Sequence, residues 1–362
     1  MSPSRGVTRL HLSHFRSYER YEGSFDCAPV ILTGPNGAGK TNLLESLSFL
    51  IPGRGLRYAR LSTVQRQGSP HPWAISCTLQ DGPTSLHIGT GMDPEAFPKE
   101  RRLTKVNGEK IKGQAALTEW VSMVWLTPQM DRLFMDAPQE RRKFLDRLVY
   151  GMDPTHASRL SQYEKAVKER GVLLRQESYD ANWMDSLEEI LVHQGILITL
   201  KRQEILAQLM AVLTRDFPAL SLDLHGTMEE VLATHSSPHD VLRRLLRESR
   251  ERSHLTGRTS LGPHRSDLHA FYLEKNQPAG LCSTGEQKSM LLAIVMASAH
   301  LLSERTGAIP LLLLDEVIAH LDETRRGALC ESLLKLNMQV WLTGTDAGLF
   351  EGLRGKGQFV GV

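Results

Sequence analysis

The spacing of apolar residues changes along the chain, and each spacing predicts a different kind of element. Residues 7–12 alternate between apolar and polar side chains, which predicts a strand. Alternating runs at 73–79 and 85–89 predict two further strands, and residues 102–110 predict a hairpin that turns at Asn107-Gly108. The first third of the chain is therefore expected to be rich in β-strands.

The middle and the end of the chain show other patterns. Residues 139–251 are largely helical in pattern but lack a sustained heptad repeat, so they predict a compact lobe of several helices and no long coiled coil. A strand at 269–274, a helix at 289–304 and a buried strand at 311–314 follow, and another strand with a polar end lies within 340–346. Strands that alternate with helices favour a parallel sheet. The predicted fold class is α/β with an inserted helical lobe.

The strongest chemical signal lies between an apolar and an amphipathic run. Residues 30–33 predict a strand, residues 42–50 predict a helix, and the loop between them matches the phosphate-loop pattern G-x-x-x-x-G-K-[ST]. Glycines let such a loop turn sharply and bring its N–H groups close to an anion, and the helix N-terminus adds partial positive charge. A glycine-rich turn that meets the pattern by chance is the alternative. The predicted nucleotide-binding residues of the loop are Gly34, Pro35, Asn36, Gly37, Ala38, Gly39, Lys40, Thr41 and Asn42.

Two residues of the loop and two acids define the expected chemistry. Lys40 can reach the β- and γ-phosphates of ATP, and the Thr41 hydroxyl can ligate Mg²⁺. Asp315 and Glu316 follow the apolar strand 311–314, at the strand edge where α/β proteins bind ligands. We expect Asp315 to hold Mg²⁺ and Glu316 to orient and deprotonate the attacking water, so Lys40 and Glu316 are the predicted catalytic residues. Two acids that end a strand by chance are the alternative.

Other positions resemble motifs of ABC-type ATPases. Ser283, Gly285 and Gln287 begin a helix and resemble the signature segment that meets the γ-phosphate held by a second subunit. A simple serine cap explains the same pattern. Gln129 resembles the Q-loop glutamine that senses Mg²⁺ and the γ-phosphate, and an ordinary surface glutamine is the alternative.

The last part of the chain adds one such motif and lacks another. Asp322, within residues 319–322, resembles the D-loop aspartate. Residues 343–346 stand where many ABC ATPases carry a switch histidine, which would help to fix the γ-phosphate and the water. The comparison with these ATPases therefore implies slow hydrolysis.

Several segments together resemble one family. They occur in the family's order along nearly the whole chain, at residues 10–18, 34–42, 53–57, 137–146, 262–268, 283–288 and 311–322. Segments 141–146 and 262–265 distinguish this family from generic ABC ATPases, which lack them. The chain is identified as a member of the RecF family, which is built on an SMC-like, ABC-type P-loop ATPase head. It departs from the family at Cys282, where leucine is usual, and at Glu316, where many relatives have a second aspartate.

The pattern and the resemblance together imply domains and a function. The expected parts are an N-terminal part of the ATPase head at 1–138, a helical lobe at 139–255 and a C-terminal part of the head at 256–362. The resemblance implies an ATP- and Mg²⁺-dependent homodimer that binds single-stranded DNA and gapped duplexes during recombinational repair and replication restart. It also implies a RecR-like mediator and RecA as partners, and a weak DNA-stimulated ATPase activity that serves DNA binding.

Composition and charge limit how DNA could be bound. The chain has 362 residues, 41% of them hydrophobic and 23% charged, with a net charge of +2. These values are typical of a globular protein in which any nucleic-acid site must come from local clusters of charge. The apolar runs are too short to cross a bilayer, the N-terminus has no apolar core, and the four cysteines are scattered. We therefore expect a cytoplasmic protein without a membrane partner.

Basic residues cluster at the start of the helical lobe and near residues 258–265. The predicted DNA contacts are Arg141, Arg142, Lys143, Arg258 and Arg265, which would bind phosphates without reading sequence. Solvated helix faces are the alternative. No aromatic residues interleave with these cations, so base stacking is not expected.

The cassette of an ABC transporter and another SMC-like ATPase are the alternative functions. The missing switch histidine and the basic helical lobe disfavour the transporter cassette. The helical insert is too short and too interrupted for a long-armed SMC-type chromosome organiser.

Overall fold

The structure is a computed structural model that describes residues 5–96, 100–176, 178–217, 219–306, 309–318 and 321–362. The chain divides into two compact units. The first comprises Met1–Asp131 and Ser298–Val362, and the second comprises Arg132–Ala297. The predicted start of the helical lobe lies close to the start of the second unit, whereas residues 256–297, assigned from the sequence to the head, belong to the second unit.

The elements follow the chain in a mixed order. The strands are β1 (Arg5–Phe15), β2 (Tyr18–Ser24), β3 (Val30–Thr33), β4 (Ala74–Asp81), β5 (Thr84–Met92), β6 (Arg102–Val106), β7 (Glu109–Lys110), β8 (Met123–Leu126), β9 (Leu220–His225), β10 (Asp267–Tyr272), β11 (Gln277–Pro278), β12 (Leu311–Leu314), β13 (Val340–Gly344) and β14 (Gln358–Gly361). The helices are α1 (Lys40–Ser48), α2 (Leu61–Val64), α3 (Pro138–Met152), α4 (Thr155–Leu173), α5 (Ala181–Asp216), α6 (Thr227–Thr234), α7 (Pro238–Glu248), α8 (Arg250–Thr256), α9 (Thr284–Thr306) and α10 (Glu323–Lys335).

A five-stranded parallel sheet in the first unit positions the candidate site. Its strand order is β14-β3-β13-β12-β8. The strands predicted at 311–314 and within 340–346 are confirmed as β12 and β13, and both are buried along their whole length. Such continuous burial is typical of parallel strands that are covered on both faces. Because the strands are parallel, the carboxyl ends of β3, β8, β12 and β13 lie at the same edge of the sheet.

The strand predicted at 269–274 does not join this parallel sheet. It corresponds to β10, which pairs antiparallel with β9 and β11 in the second unit. The sequence analysis does not anticipate β9, because residues 220–225 lie inside the region interpreted as helical. Their strict alternation of leucine with polar residues is nevertheless a strand pattern.

An antiparallel sheet accounts for the β-rich first third of the chain. It has the order β2-β1-β4-β5-β6-β7, which confirms the strands predicted at 7–12, 73–79 and 85–89. The predicted turn at Asn107-Gly108 is also confirmed. Both residues have positive φ, 49° and 87°, as the favoured two-residue hairpin turn requires.

A buried glutamine links the two sheets of the first unit. The Nε2 group of Gln339 donates to the carbonyl oxygens of Val7 (3.0 Å) and Asp26 (2.7 Å). Its Oε1 accepts from the backbone N–H of Val7 (2.7 Å) and from Nε1 of Trp341 (3.0 Å). The hydrogen-bonding capacity of the amide is thereby satisfied. This side chain fixes β1 against the start of β13.

Charged side chains are buried in the second unit, where they pair. Arg170 of α4 and Glu188 of α5 are both fully buried, and Nε of Arg170 lies 3.0 Å from Oε1 of Glu188. Arg250 of α8 donates to both carboxylate oxygens of Glu188, at 3.1 and 2.6 Å. Burying a charge is unfavourable unless it is paired and hydrogen-bonded. The pairing therefore holds α4, α5 and α8 in one arrangement.

Glu188→Ala is expected to lower the free energy of unfolding of the second unit by about 3–5 kcal/mol, because it leaves Arg170 buried without a counter-charge. The neighbouring Glu189 provides a matched control. Its side chain is 45% exposed and pairs with His239 and Arg243, so Glu189→Ala should cost less than about 1 kcal/mol. Urea unfolding measures the free-energy change in each variant, and hydrogen exchange of peptides from α4 and α5 reports on the second unit. Equal unfolding midpoints for the two variants would contradict this assignment.

Candidate nucleotide-binding site

Polar residues from four parallel strands meet at one edge of the parallel sheet. β3 leads into the phosphate loop at residues 34–39, and β12 ends directly before Asp315 and Glu316. Thr343 lies at the end of β13, and Gln129 follows β8 in a short 3₁₀ turn, Pro128–Met130. The structure therefore brings the predicted loop, acids and glutamine to the same edge.

The phosphate loop depends on glycine at two positions. Gly37 and Gly39 have φ angles of 83° and 113°, in the left-handed region that other residues avoid. A Cβ atom on Gly39 would also lie 2.5 Å from the hydroxyl of Tyr18. α1 starts at the next residue, Lys40, and no side chain of the described residues caps this helix. The free N–H groups at its start therefore favour an anion in the loop.

The ammonium group of Lys40 is buried without an acidic partner among the described residues. Only 5% of the residue is exposed, and Nζ donates to the carbonyl oxygens of Gly34 and Pro35, both at 2.8 Å. Neutral carbonyl groups satisfy hydrogen bonds but do not cancel the charge. A buried positive charge of this kind is stabilised by an incoming anion.

The carboxylate of Asp315 is the centre of a hydrogen-bond chain. Its Oδ1 accepts from the hydroxyls of Thr41 (3.0 Å) and Thr343 (2.8 Å). The Thr343 hydroxyl in turn accepts from the backbone N–H of Glu316 (2.8 Å). One carboxylate thus joins the start of α1 to the ends of β12 and β13.

The surroundings of Asp315 favour a bound cation. Burial raises the pKa of this carboxyl group, and the negative charge of Glu316 acts in the same direction. Hydrogen bonds from Thr343 and Thr41 act against this increase in the pKa. A cation beside Asp315 would stabilise the ionised form and relieve the effect of burial.

The residues present fit Mg²⁺ bound together with a nucleotide. The Thr41 hydroxyl and the Asp315 carboxylate offer the hard oxygen ligands that Mg²⁺ prefers. Within the described ranges, no group of three or more His, Cys, Asp or Glu side chains is arranged to hold a metal ion. Phosphate oxygens and water would therefore have to complete the coordination of Mg²⁺ at this site.

Glu316 adopts an unusual backbone conformation. Its φ angle is 51°, in the left-handed region, which costs a non-glycine residue about 1–2 kcal/mol. Its side chain is exposed, and its backbone N–H is held by Thr343. Strained backbone is often found at functional sites, where the surrounding structure maintains it. Thr343 therefore contributes to the position of Glu316 relative to Asp315.

The sequence analysis does not include one buried acid of α1, Glu45, in the site. Glu45 on α1 is fully buried, and Arg16 donates to both its oxygens at 2.8 and 2.6 Å. Arg57 donates both to Glu45 and to the side chain of Asn42, each at 3.0 Å. A lone acid among the buried positions of α1 is the signal that could have identified it. This network fixes Asn42, the last residue of the predicted loop.

Gln129 and Asp322, the predicted Q-loop and D-loop residues, have different surroundings. Gln129 is exposed, and the structure records no hydrogen bond of its side chain to another described residue. Asp322 caps α10, because its side chain accepts from the backbone N–H of Arg325 at 2.9 Å. Residues 319–320 of the predicted D-loop segment lie outside the described residues.

The predicted signature segment lies in the second unit and forms a helix cap. The Ser283 hydroxyl and its backbone N–H both donate to Glu286, at 2.8 and 2.9 Å, and the N–H of Glu286 points back to Ser283. This reciprocal arrangement is a capping box at the start of α9. An ion pair with Lys275 and these hydrogen bonds from Ser283 lower the pKa of Glu286 to about 2. Gln287 is buried and donates to the carbonyl oxygen of Cys282 at 2.8 Å, and Gly285 lies in the first turn.

The five residues predicted to contact DNA differ in their exposure and in their hydrogen-bond or ion-pair partners. Arg141 forms two hydrogen bonds to the carboxylate of Asp267, at 2.7 and 2.8 Å. Arg142 donates to the carbonyl oxygen of Ser266 (2.6 Å), and Arg265 donates to that of Thr259 (2.7 Å). Lys143 is exposed and pairs with Glu140. Arg258 is exposed, and its side chain has no recorded partner among the described residues.

Comparison with known proteins finds one family and several relatives along nearly the whole chain. The family described as RecF/RecN/SMC N terminal domain matches residues 6–357. The "DNA replication and repair protein RecF" of Allorhizobium ampelinum is 42% identical over 100% of this chain and 98% of that protein. A solved "recombination mediator protein RecF-ATPrS in RecFOR pathway" has a TM-score of 0.84 at 22% identity and covers 100% of this chain and 97% of that one. A solved RecF-ATP structure has a TM-score of 0.81 at 24% identity over 96% of each chain.

These comparisons decide the fold class. The chain has the α/β fold of an SMC-like ABC ATPase head with an inserted helical lobe. They favour DNA repair over the transporter cassette. None of the helices in the described part of the chain combines the length and apolar character needed to cross a membrane.

Thr343→Val removes the hydroxyl that connects Glu316 to Asp315 while keeping the shape of the side chain. We expect ATP turnover to fall about ten- to hundredfold, as is usual when a hydrogen bond that orients a ligand is removed, with a much smaller change in ATP affinity. Thr343→Ser keeps the hydroxyl and should retain most of the turnover. Single-turnover hydrolysis and fluorescent-nucleotide titration separate the two effects. Equal turnover in the valine and serine variants would show that the hydroxyl does not orient these acids.

Proposed function

Since the chain belongs to the RecF family of DNA replication and repair proteins, we propose that it is an ATP-dependent DNA-binding protein of recombinational repair and replication restart. In this proposal ATP joins two copies into a dimer that holds single-stranded DNA or a gapped duplex. Slow hydrolysis of ATP then releases the DNA. The proposed protein partners are a RecR-like mediator and RecA, which the dimer helps to load onto single-stranded DNA.

The buried, uncompensated charge of Lys40 is the observation that carries the ATP-dependent part. Among the described residues, its ammonium group donates hydrogen bonds only to backbone carbonyl oxygens, and it lies at the uncapped start of α1. Asp315 and Thr41 offer oxygen ligands at the same strand edge. A polyphosphate with its Mg²⁺ satisfies the positive group and the acidic group together.

Each residue of the site has a proposed task. Lys40 exchanges its carbonyl partners for the β- and γ-phosphates of ATP. Thr41 and Asp315 hold Mg²⁺, which neutralises charge on the phosphate oxygens when it is bound. Glu316 orients the attacking water and accepts its proton. Gln129, which follows the neighbouring strand, contacts the γ-phosphate side of the site once ATP is bound.

Slow turnover suits a protein in which hydrolysis acts as a timer. Thr343 occupies the end of β13, where many ABC ATPases carry a switch histidine, and its hydroxyl is already used to hold Asp315 and Glu316. No imidazole is then available from this segment to fix the γ-phosphate. The proposed activity is accordingly a weak, DNA-stimulated ATPase that serves DNA binding.

The proposed dimer contact uses the capping box at the start of α9. Ser283, Gly285 and Gln287 meet the γ-phosphate held by the second copy, and Asp322 lies in the segment that crosses between the copies. The capping box supports this proposal because it orders the Ser283 segment at a helix N-terminus, a position that favours a phosphate.

ATP-dependent dimerisation is tested by sedimentation velocity of the protein alone, with ATP, and with ATP plus a gapped duplex. We expect a monomer that becomes a dimer with ATP and then binds the duplex more tightly. Lys40→Ala should lower ATP affinity roughly a hundredfold, because it removes charge-assisted hydrogen bonds to phosphate, and should stay monomeric. Lys356→Ala, at an exposed lysine of the same unit, is the control. A Lys40→Ala variant with normal ATP affinity would refute the proposed site.

The proposed contact of Ser283 with the second copy is tested with two substitutions that both keep a capping oxygen. Ser283→Asp, made together with Glu286→Gln so that the new carboxylate does not face that of Glu286, places a carboxylate where the γ-phosphate should arrive, so it should prevent dimerisation while the ATP affinity of the monomer stays within about twofold. Ser283→Thr keeps the hydroxyl and should dimerise. Light scattering with ATP and nucleotide titration measure both properties. A Ser283→Asp variant that still dimerises would place the γ-phosphate elsewhere.

A further inference from the structure

A basic cleft lies within the second unit, apart from the nucleotide-binding residues. It is open and has a volume of about 890 Å³. α3, α4 and the segment 257–265 supply most of its lining. Its cationic side chains are Arg142, Lys143, Lys168, Arg175, Arg202, Arg258 and Arg265.

Acidic residues do not balance these cations. Asp146 lines the cleft, but Arg202 already pairs with both its carboxylate oxygens, each at 2.8 Å. Glu164 is the other acid among the described residues that line the cleft. Once Asp146 and Arg202 cancel each other, the remaining lining carries a clear excess of positive charge.

Three of the cations have no recorded partner among the described residues. The side chains of Lys168, Arg175 and Arg258 are exposed and form no recorded hydrogen bond or ion pair with other described residues. Lys168 lies on α4, Arg175 lies in the turn directly after α4, and Arg258 lies in the segment 257–265. Exposed cations that converge on one cleft without partners are available to contact an anion.

The positive charges of the cleft act on two of its own side chains, His264 and Arg142. The Nε2–H of His264 donates to the carbonyl oxygen of Thr259 (2.9 Å), so Nδ1 of the neutral ring accepts from the Tyr163 hydroxyl (2.6 Å). Burial lowers the pKa of His264 to about 4, and the charges of Arg265, Arg142 and Arg202 act in the same direction. Burial also lowers the pKa of Arg142, as do the charges of Arg202 and Arg265.

We propose that this cleft binds the phosphodiester backbone of nucleic acid, with Lys168, Arg175 and Arg258 as the main phosphate contacts. The inference rests on the proposed function and assigns a place to its DNA-binding step. Several cations from separate segments suit a polyanion with regularly repeated charges. Among the described residues that line the cleft, the Tyr163 ring is buried and the His264 ring is half-buried and hydrogen-bonded at both nitrogens, so the cleft offers little ring surface on which bases could stack. Binding should therefore be insensitive to sequence.

The proposal is tested with a cleft variant, Lys168→Gln, Arg175→Gln and Arg258→Gln combined. Its affinity for a fluorescent gapped duplex, measured by anisotropy with ATP present, should fall roughly tenfold or more. The plot of log affinity against log salt concentration should become less steep by about 3, because three phosphate contacts are lost. ATP affinity and melting temperature should not change, since all three side chains are exposed.

A second triple variant provides the matched control. Lys165→Gln, Arg244→Gln and Arg252→Gln remove the same charge from exposed cations of the second unit that do not line the cleft. Lys165 even lies on the same helix as Lys168. The control variant should keep the affinity and the salt dependence of the unaltered protein to within about twofold.

The outcomes distinguish a failure of the cleft assignment from a failure of the proposed function. If the unaltered protein binds DNA and the cleft variant behaves like the control, the cleft assignment is wrong and the proposed function stands. If the unaltered protein does not bind DNA with ATP, both are wrong. If a poly-glutamate peptide binds the unaltered protein and is released by the cleft substitutions while DNA affinity is unchanged, the cleft serves an acidic protein and the assignment also fails.

Discussion

The buried positive charge of Lys40 has no carboxylate partner among the described residues, and this constraint explains the arrangement of the first unit. The carboxylate of Asp315 accepts hydrogen bonds from the hydroxyls of Thr41 and Thr343 and forms no ion pair with Lys40. Pairing the two directly would cancel both charges and remove the reason to bind a ligand. The parallel sheet keeps the positive and the negative group at one edge, where a ligand that carries both phosphate and a metal ion would satisfy both of them.

Most features that could be predicted depend on local sequence patterns. The phosphate loop, the Asn107-Gly108 turn and the strands of the antiparallel sheet each depend on a few consecutive residues. The interactions that escaped prediction join distant residues. Thr343 contacts Asp315 and Glu316 because β13 lies beside β12. Arg16, which follows β1, contacts Glu45 on α1, 29 residues further along the chain. The strand β10 was placed in the wrong sheet because its partner β9 lay inside a region with helical pattern.

The arginines of the second unit show why the number of basic residues is a poor guide to a binding surface. Arg170 and Arg202 are buried and pair with Glu188 and Asp146, so their charges hold helices together. Arg141, which the sequence suggests as a DNA contact, is occupied by Asp267. Sequence gives each of these side chains the same charge, and only the position of its partner decides whether that charge is available.

The fixed tautomer of His264 has a consequence for how the cleft would respond to its environment. Histidine is the side chain that ordinarily changes charge between pH 5 and 8, but burial, together with the charges of Arg265, Arg142 and Arg202, lowers the pKa of this one so that it is neutral in that range. The charge of the cleft then comes from lysine and arginine, which do not titrate near neutrality in peptides. Acid stress would leave its attraction for a polyanion unaltered. A rise in salt concentration would weaken this attraction, because bound counterions are released from nucleic acid when a protein binds.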